Sequence, residues 1–205
     1  MNKYFVTAIG TNSGKTIVSA ILVQAFQADY WKPIQSGVED RDADTVNSLL
    51  LNDFSVIHPE KYWLKKPVSP HEAAQAEGVE IDLSHLNIPD TDGNNIVIEG
   101  AGGLMVPLND KDTIVDLIAK LDVEVILVSN YYLGSINHTL LSIACLKAHN
   151  ITIKGIVFNG EKNEASKAII LSKTGLSCLL EIKQEEKWDA FLVNQYAVKL
   201  FDNWI

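Results

Sequence analysis

Positive charge is scarce in this chain. Its 205 residues carry 17 Lys and Arg against 26 Asp and Glu, a formal net charge of −9. That balance argues against nucleic acid as the main partner, because phosphate backbones recruit Lys/Arg surfaces. Cysteine is rarer still: Cys145 and Cys178 alone, in no metal-ligand spacing. Their apolar surroundings predict reduced, buried thiols. No run approaches the roughly 18 apolar residues of a membrane-spanning helix. The first strand begins near residue 4, leaving no room for a signal peptide, so a cytoplasmic location is expected. Internal repeats, low-complexity tracts and linkers are absent too, and residues 1–205 are expected to form one domain.

What is present is apolar enough for a two-sided core, at 47% of the chain. Residues 4–7 (Tyr-Phe-Val-Thr) read as a short buried strand. Small and polar residues break it, and a helical pattern follows with Ile17, Ala20, Ile21, Gln24 and Ala25 at three- and four-residue steps. A strand, a Gly-containing turn and a helix opening on Gly14-Lys15-Thr16 make a phosphate cradle. The N–H groups of such a turn have no helical partner and can face an anion. Lys15 would reach the terminal phosphates, and the Thr16 hydroxyl would sit on Mg²⁺. The usual spacing puts Gly five residues before Gly14; here that residue is Ile9, and Gly10 comes one place late. The altered spacing points to a divergent branch of the phosphate-loop class.

Further on, strands and helices alternate. Strands are expected at residues 29–33, 95–99, 123–129, 153–159 and 178–182. Helices are expected at 42–51, 70–77, 113–120, 135–149, after 159 to about 173, and at 187–201, with an irregular stretch over 52–69. This order predicts an α/β, phosphate-loop NTPase-like fold, a mostly parallel sheet with helices on both faces. Ligands bind beyond the carboxyl ends of such strands. Residues 10–16, Lys32 to Ser36, Glu99 to Gly103, 130–134 and Asn159 all fall at that edge. Glu99 closing an apolar run is hard to explain as structure alone, because an unpaired buried carboxylate is costly. Lys32 by itself reads as a solvated lysine; its strand-end position before Pro33 and Ser36 favours a functional role. His71 reads as a first-turn helix residue, His138 as a helix or subunit-interface residue, and the four tryptophans as packing anchors.

Taken in order, the strings Lys32-Pro33-Ile34-Gln35-Ser36-Gly37, Ser69-Pro70-His71, Glu99-Gly100-Ala101-Gly102-Gly103 and Leu133-Gly134-Ser135-Ile136-Asn137-His138, with Asp44 between the first two, follow a variant phosphate loop. That ordered set resembles the dethiobiotin synthetase family to about residue 160. The resemblance implies closure of a cyclic urea from 7,8-diaminononanoate, CO₂ and ATP through a carbamate and a carbamic–phosphoric anhydride, in biotin biosynthesis. It implies ATP and Mg²⁺ as cofactors and a homodimer whose sites are completed across the interface. Residue by residue, Thr11, Lys15 and Lys32 match catalytic positions. Asn12, Ser13, Gly14, Thr16, Ile17, Gly100, Ala101 and Gly102 match the nucleotide site. Thr16, Asp44 and Glu99 match the metal ligands. Thr11, Ser36, Pro70, Gly134, Ser135 and Asn137 match substrate contacts, the last three reaching the neighbouring subunit's substrate. Asn159, Gly160, Lys183, Gln184 and Glu185 match the nucleobase region. Asn12 stands where many relatives carry an acidic residue, Ala8 where many carry Gly, and Ile182-Lys183 where Ile-Pro is frequent.

Two rival readings share the fold. A partitioning ATPase of the dimeric phosphate-loop type has a second lysine early in the loop, and positions 9–13 hold none. An amide-forming synthetase of the cobyrinate type carries a glutaminase domain, for which 205 residues leave no space. A bare nucleotide-binding module would not need Lys32 and Ser36.

Overall fold

The computed structural model describes residues 1–204. Its elements run β1 (Lys3–Ala8), α1 (Lys15–Phe26), β2 (Asp29–Trp31), β3 (Ile34–Ser36), α2 (Asp42–Ser48), β4 (Ile57–His58), β5 (Tyr62–Leu64) and α3 (Pro70–Ala76). A 3-10 turn at Leu83–His85 follows, then β6 (Ile96–Gly103), α4 (Ile114–Leu121), β7 (Glu124–Asn130), α5 (Ser135–Ala148), β8 (Ile153–Asn159), α6 (Glu164–Thr174), β9 (Cys178–Ile182) and α7 (Ala190–Asp202). Seven strands form one sheet in the order β4-β2-β6-β1-β7-β8-β9. Every pairing in it is parallel.

The apolar strands are buried on both faces, and successive side chains divide between two layers. Tyr4, Val6, Tyr30, Val97 and Ile126 point into the layer beneath α1 and α7. Phe5, Trp31, Ile96, Ile98 and Val125 point into the opposite layer, which is closed by α4. A smaller cluster of Leu127, Ile156, Phe158, Ile143 and Ile170 seals α5 and α6 against β7 and β8. α1 is buried on most of its surface because α7 covers the side that faces away from the sheet. α4 starts with a capping box: Thr113 bonds the backbone of the first turn, and Asp116 accepts from the Thr113 N–H at 2.8 Å.

The chain departs from the expected elements in four places. Residues 34–36, expected as loop, form β3, and β3 pairs with β5 in a separate two-stranded sheet. The stretch 52–69, expected to be irregular, supplies both β4 and β5. β6 continues past Glu99 through Gly103, and α2 ends at Ser48. Both thiols are free, as expected, but both are partly exposed rather than buried. Among the described residues no helix is long and apolar enough to cross a membrane.

Candidate active site

Central strand β1 delivers the phosphate loop to the carboxyl edge of the sheet. In that loop Asn12 has φ 57° and Gly14 has φ 91°, both left-handed. Gly takes that region without steric penalty, and Asn tolerates it better than most residues. Gly14 has a further reason to lack a side chain: a Cβ there would lie 2.3 Å from Nδ2 of Asn159. The Asn159 amide donates to the Ser13 carbonyl at 2.9 Å and ties the loop to the end of β8. Ser13 Oγ donates to the Gly10 carbonyl at 3.1 Å, and Lys15 Nζ reaches the same oxygen at 3.5 Å.

Beside the loop, four side chains from four parts of the chain converge. Thr16 Oγ1 lies 2.8 Å from Asp42 Oδ1 and 3.0 Å from Glu99 Oε1. Lys32 Nζ lies 2.6 Å from Asp42 Oδ2 and 3.2 Å from Glu99 Oε1. The second oxygen of Glu99, Oε2, accepts from the Tyr30 hydroxyl at 3.0 Å. Glu99 is 1% exposed. A carboxylate so deep needs partners, and this one has three. The cluster opens on a cavity of about 780 Å³ that Thr11, Asn12, Ile17, Ser36, Pro70, Ala101 and Gly102 also line.

Burial sets the proton affinities here, and neighbouring charges modify them. Burial lowers the Lys15 pKa; Glu99 opposes the shift, and the Lys32 ammonium adds to it. Burial also penalises charged Lys32, but Glu99 and Asp42 together outweigh it, and the Lys32 pKa ends above its ordinary value. Burial, with Glu99 next in effect, raises the Tyr30 pKa well above the usual phenol, so Tyr30 is a donor at neutral pH.

The donor set suits a hard divalent cation. Thr16 has one O–H and two carboxylate oxygens within 3.0 Å, so one of those contacts sets lone pairs against lone pairs. An ion that takes a lone pair from each of the three oxygens removes the conflict. Hydroxyl and carboxylate oxygens, completed by water, are what Mg²⁺ takes.

Asp44 requires a correction. The resemblance matched it to a metal ligand, but its side chain is 71% exposed and pairs with Arg41 at 2.9 Å. Asp42 occupies the site. On a helix, two residues apart means nearly opposite faces, whereas Asp42 and the buried Val46 are one turn apart and share a face. That apolar face was the signal available in the sequence. Sequence reasoning also missed Tyr30, whose reach to Glu99 depends on strand pairing, and Gln35, which is buried against the cavity.

The other matched residues fall into three groups. Ser13 is buried within the loop, and Gly100 lies in β6, where a Cβ would lie 2.7 Å from the Phe5 ring. Gly134, Ser135 and Asn137 stand at the start of α5 and do not line the 780 Å³ cavity. Leu133 just before them is fully exposed. Gly160, Lys183 and Gln184 line a second cavity of about 730 Å³ beyond β8 and β9, with Glu181 at its wall. Glu185 is not in that lining; its Oε1 accepts from the Tyr196 hydroxyl at 2.5 Å.

Known proteins resemble this chain in sequence and in fold. A family model described as an AAA domain matches residues 2–190. An ATP-dependent dethiobiotin synthetase BioD from Cytophaga hutchinsonii is 61% identical over 204 residues, spanning 100% of this chain and 99% of that protein. One from Christiangramia forsetii is 47% identical over 197 residues, spanning 96% and 94%. Among solved structures, the Pyrococcus furiosus cell division ATPase MinD superposes with a TM-score of 0.60 at 16% identity, covering 99% of this chain and 98% of that one. A ParA family ATPase from Chlorobium tepidum gives a TM-score of 0.51 at 15% identity, covering 98% and 91%. At such identities these two share the fold alone.

Proposed function

The chain belongs to the ATP-dependent dethiobiotin synthetase family, a ligase of biotin biosynthesis, and from that premise we propose how its residues divide the work. Thr16, Asp42 and Glu99 hold a Mg²⁺ ion, Lys15 and the loop amides hold the ATP phosphates, and Lys32 neutralises the reacting groups. The single observation that carries this reading is the convergence of Thr16, Lys32, Asp42 and Glu99 beside the phosphate loop, at the wall of one cavity. Those four side chains come from distant segments, and no packing need brings two carboxylates and a lysine to a buried point.

The chemistry proceeds in three steps. One amine of 7,8-diaminononanoate adds to CO₂ and gives a carbamate, releasing a proton. A carbamate oxygen attacks the γ-phosphorus of ATP, and ADP leaves. The second amine then attacks the carbamoyl carbon, the ring closes, and phosphate leaves. Bound Mg²⁺ would supply charge neutralisation at the phosphates. The chain's own part is positioning and electrostatics. Lys15 faces the nucleotide side. Lys32, charged and buried, faces the anionic carbamate and the transferring phosphoryl group, where a preorganised cation counts most. Ser36 and Pro70 orient the diamine, and the turn residue Thr11 stands between nucleotide and substrate. The cavity beyond β9, with Gly160, Lys183 and Gln184, takes the nucleobase, and Asn159 stands between it and the loop.

Gly134, Ser135 and Asn137 act on the substrate of a second copy, and the working unit is a homodimer. Their position outside this chain's own cavity supports that reading, as does Leu133, which is fully exposed among the described residues. Residues 1–205 act as one synthetase domain.

The test is an incubation with 7,8-diaminononanoate, bicarbonate, Mg²⁺ and ATP. The cyclic urea is detected by mass, and phosphate release is followed in parallel. Product and phosphate should form together and only with all components present. Phosphate release at the same rate without diamine would refute the coupling. Sedimentation at assay concentration should give a dimer; a fully active monomer would remove the shared-site reading.

A further inference from the structure

The two oxygens of the Glu99 carboxylate have separate surroundings. Oε1 faces Thr16 and Lys32 at the cavity, at 3.0 and 3.2 Å. Oε2 is turned into the core and accepts from Tyr30 at 3.0 Å. Tyr30 is fully buried in β2, which lies beside β6. Its register partner is Val97, two residues before Glu99. Residues two apart on a strand share a face, so the phenol runs along that face and meets the carboxylate from behind. Nothing in packing requires a hydroxyl there. Val6 and Val97 in the same layer are held by apolar contact, and a Phe at position 30 would fill nearly the same volume. A buried phenol kept beside a buried carboxylate therefore has a job at that carboxylate.

We propose that Tyr30 makes the site selective for Mg²⁺ over Ca²⁺, by holding Glu99 Oε2 so that the carboxylate offers one oxygen and not two. The inference rests on the reading of Thr16, Asp42 and Glu99 as the ligands of the ion. The two cations differ in what they ask of a carboxylate. Ca²⁺ takes six to eight oxygens in flexible geometry and uses carboxylates bidentately. Mg²⁺ keeps near-ideal octahedral geometry with single oxygens and several waters. A Glu99 pinned by Tyr30 cannot turn its second oxygen towards the cavity. The site then presents three single oxygens, from Thr16, Asp42 and Glu99. That suits Mg²⁺ and leaves Ca²⁺ short of ligands. Tyr30 is a positioning residue: it touches neither substrate nor nucleotide.

The test compares metals without turnover. Mn²⁺ serves as the paramagnetic probe, titrated into the full chain with and without ADP and displaced by Mg²⁺ or Ca²⁺. On the unaltered protein Mg²⁺ should displace Mn²⁺ at lower concentration than Ca²⁺ does. In Tyr30→Phe the ratio of the two should move towards Ca²⁺ by on the order of tenfold, the scale on which groups behind a metal ligand tune affinity. A purely structural tyrosine would weaken both metals alike and leave the ratio where it was. An unchanged ratio in Tyr30→Phe overturns the proposal. Should that variant fail to fold, the unaltered protein still decides, since Ca²⁺ displacing Mn²⁺ as readily as Mg²⁺ overturns it too. Glu99→Gln separates this inference from the reading beneath it. If Glu99→Gln binds Mn²⁺ as tightly as the unaltered protein, the ligand assignment falls, and the inference with it. If Glu99→Gln loses Mn²⁺ while Tyr30→Phe keeps the ratio, only the inference falls.

Discussion

Replacing Lys32 with Gln removes a cation that pairs with both Asp42 and Glu99. Thr16 Oγ1 bridges these carboxylates at 2.8 and 3.0 Å. Their facing oxygens therefore lie within about 6 Å, where two unit charges repel by roughly 3 kcal/mol at an effective dielectric of 20. Breaking a buried ion pair by deleting one partner costs on the order of 3–5 kcal/mol, whose lower end meets the same figure. Lys32→Gln should thus be less stable than the parent by about 3 kcal/mol in EDTA. Mg²⁺ should restore more stability to the variant than it adds to the parent, because the ion then replaces the missing charge. Turnover should fall on the order of 10²-fold or more even at saturating Mg²⁺, the cost of losing one preorganised transition-state donor. ADP binding should change little, because Lys15 and the loop amides remain. Urea denaturation with and without Mg²⁺, calorimetry with ADP and product mass supply the four readings. A variant as stable as the parent in EDTA would refute the electrostatic account. Normal turnover with weakened ADP binding would reduce Lys32 to a nucleotide anchor.

Two further outcomes follow from the geometry. Asp42→Asn should raise the Mg²⁺ concentration needed for half-maximal rate by on the order of tenfold or more, while Asp44→Asn, at an exposed side chain, should leave it unchanged; the reverse order in a Mg²⁺ titration would reinstate Asp44. Asp116→Ala should cost roughly 1 kcal/mol in urea at neutral pH by removing half of the α4 capping box. The Asp116 pKa is depressed below its ordinary 3.8, first by the Thr113 hydroxyl. Its contribution is therefore present above that value and lost as pH falls through the folded-state pKa, so parent and variant should converge in acid; a gap that persists there would assign the effect to packing.

Long apolar runs made most of the sheet legible. β8 and β9 match their expected bounds because Ile153 to Phe158 and Cys178 to Ile182 are nearly unbroken, with turn residues on either side. β3 and β5 were hidden for the opposite reason. Each has three residues, and Gln35 and Ser36 read as loop until Tyr62 to Leu64 arrive as a partner. The phosphate loop and Glu99 stood out because their residue types are hard to justify otherwise. Asp42 and Asp44 could not be told apart by type, and only the rotation of α2 separates them. Tyr30 was invisible as a site residue. In Asp29-Tyr30-Trp31 it reads as one more core aromatic, and its hydroxyl gains meaning only through the pairing of Tyr30 with Val97.

The central place of β1 has a consequence for how the protein is made. Tyr4 pairs with Val97 on one side and lies opposite Glu124 on the other. β1 is thus translated before both of the strands that flank it. At about 5–20 residues per second, the ribosome needs roughly 6 to 24 seconds to travel from the end of β1 to β7. Until β6 is made, Tyr4, Phe5 and Val6, all buried in the finished fold, have no strand beside them, and until β7 is made β1 keeps one open edge. The phosphate loop has no floor either, because the Ile9 amide finds its acceptor, the Val128 carbonyl, only in β7. The nascent chain therefore carries β1 with an open edge until β7 is made, a target for holding chaperones. A ribosome stalled before β7 leaves a product that has Thr16, Lys32, Asp42 and Glu99 yet lacks one side of the strand that bears the loop.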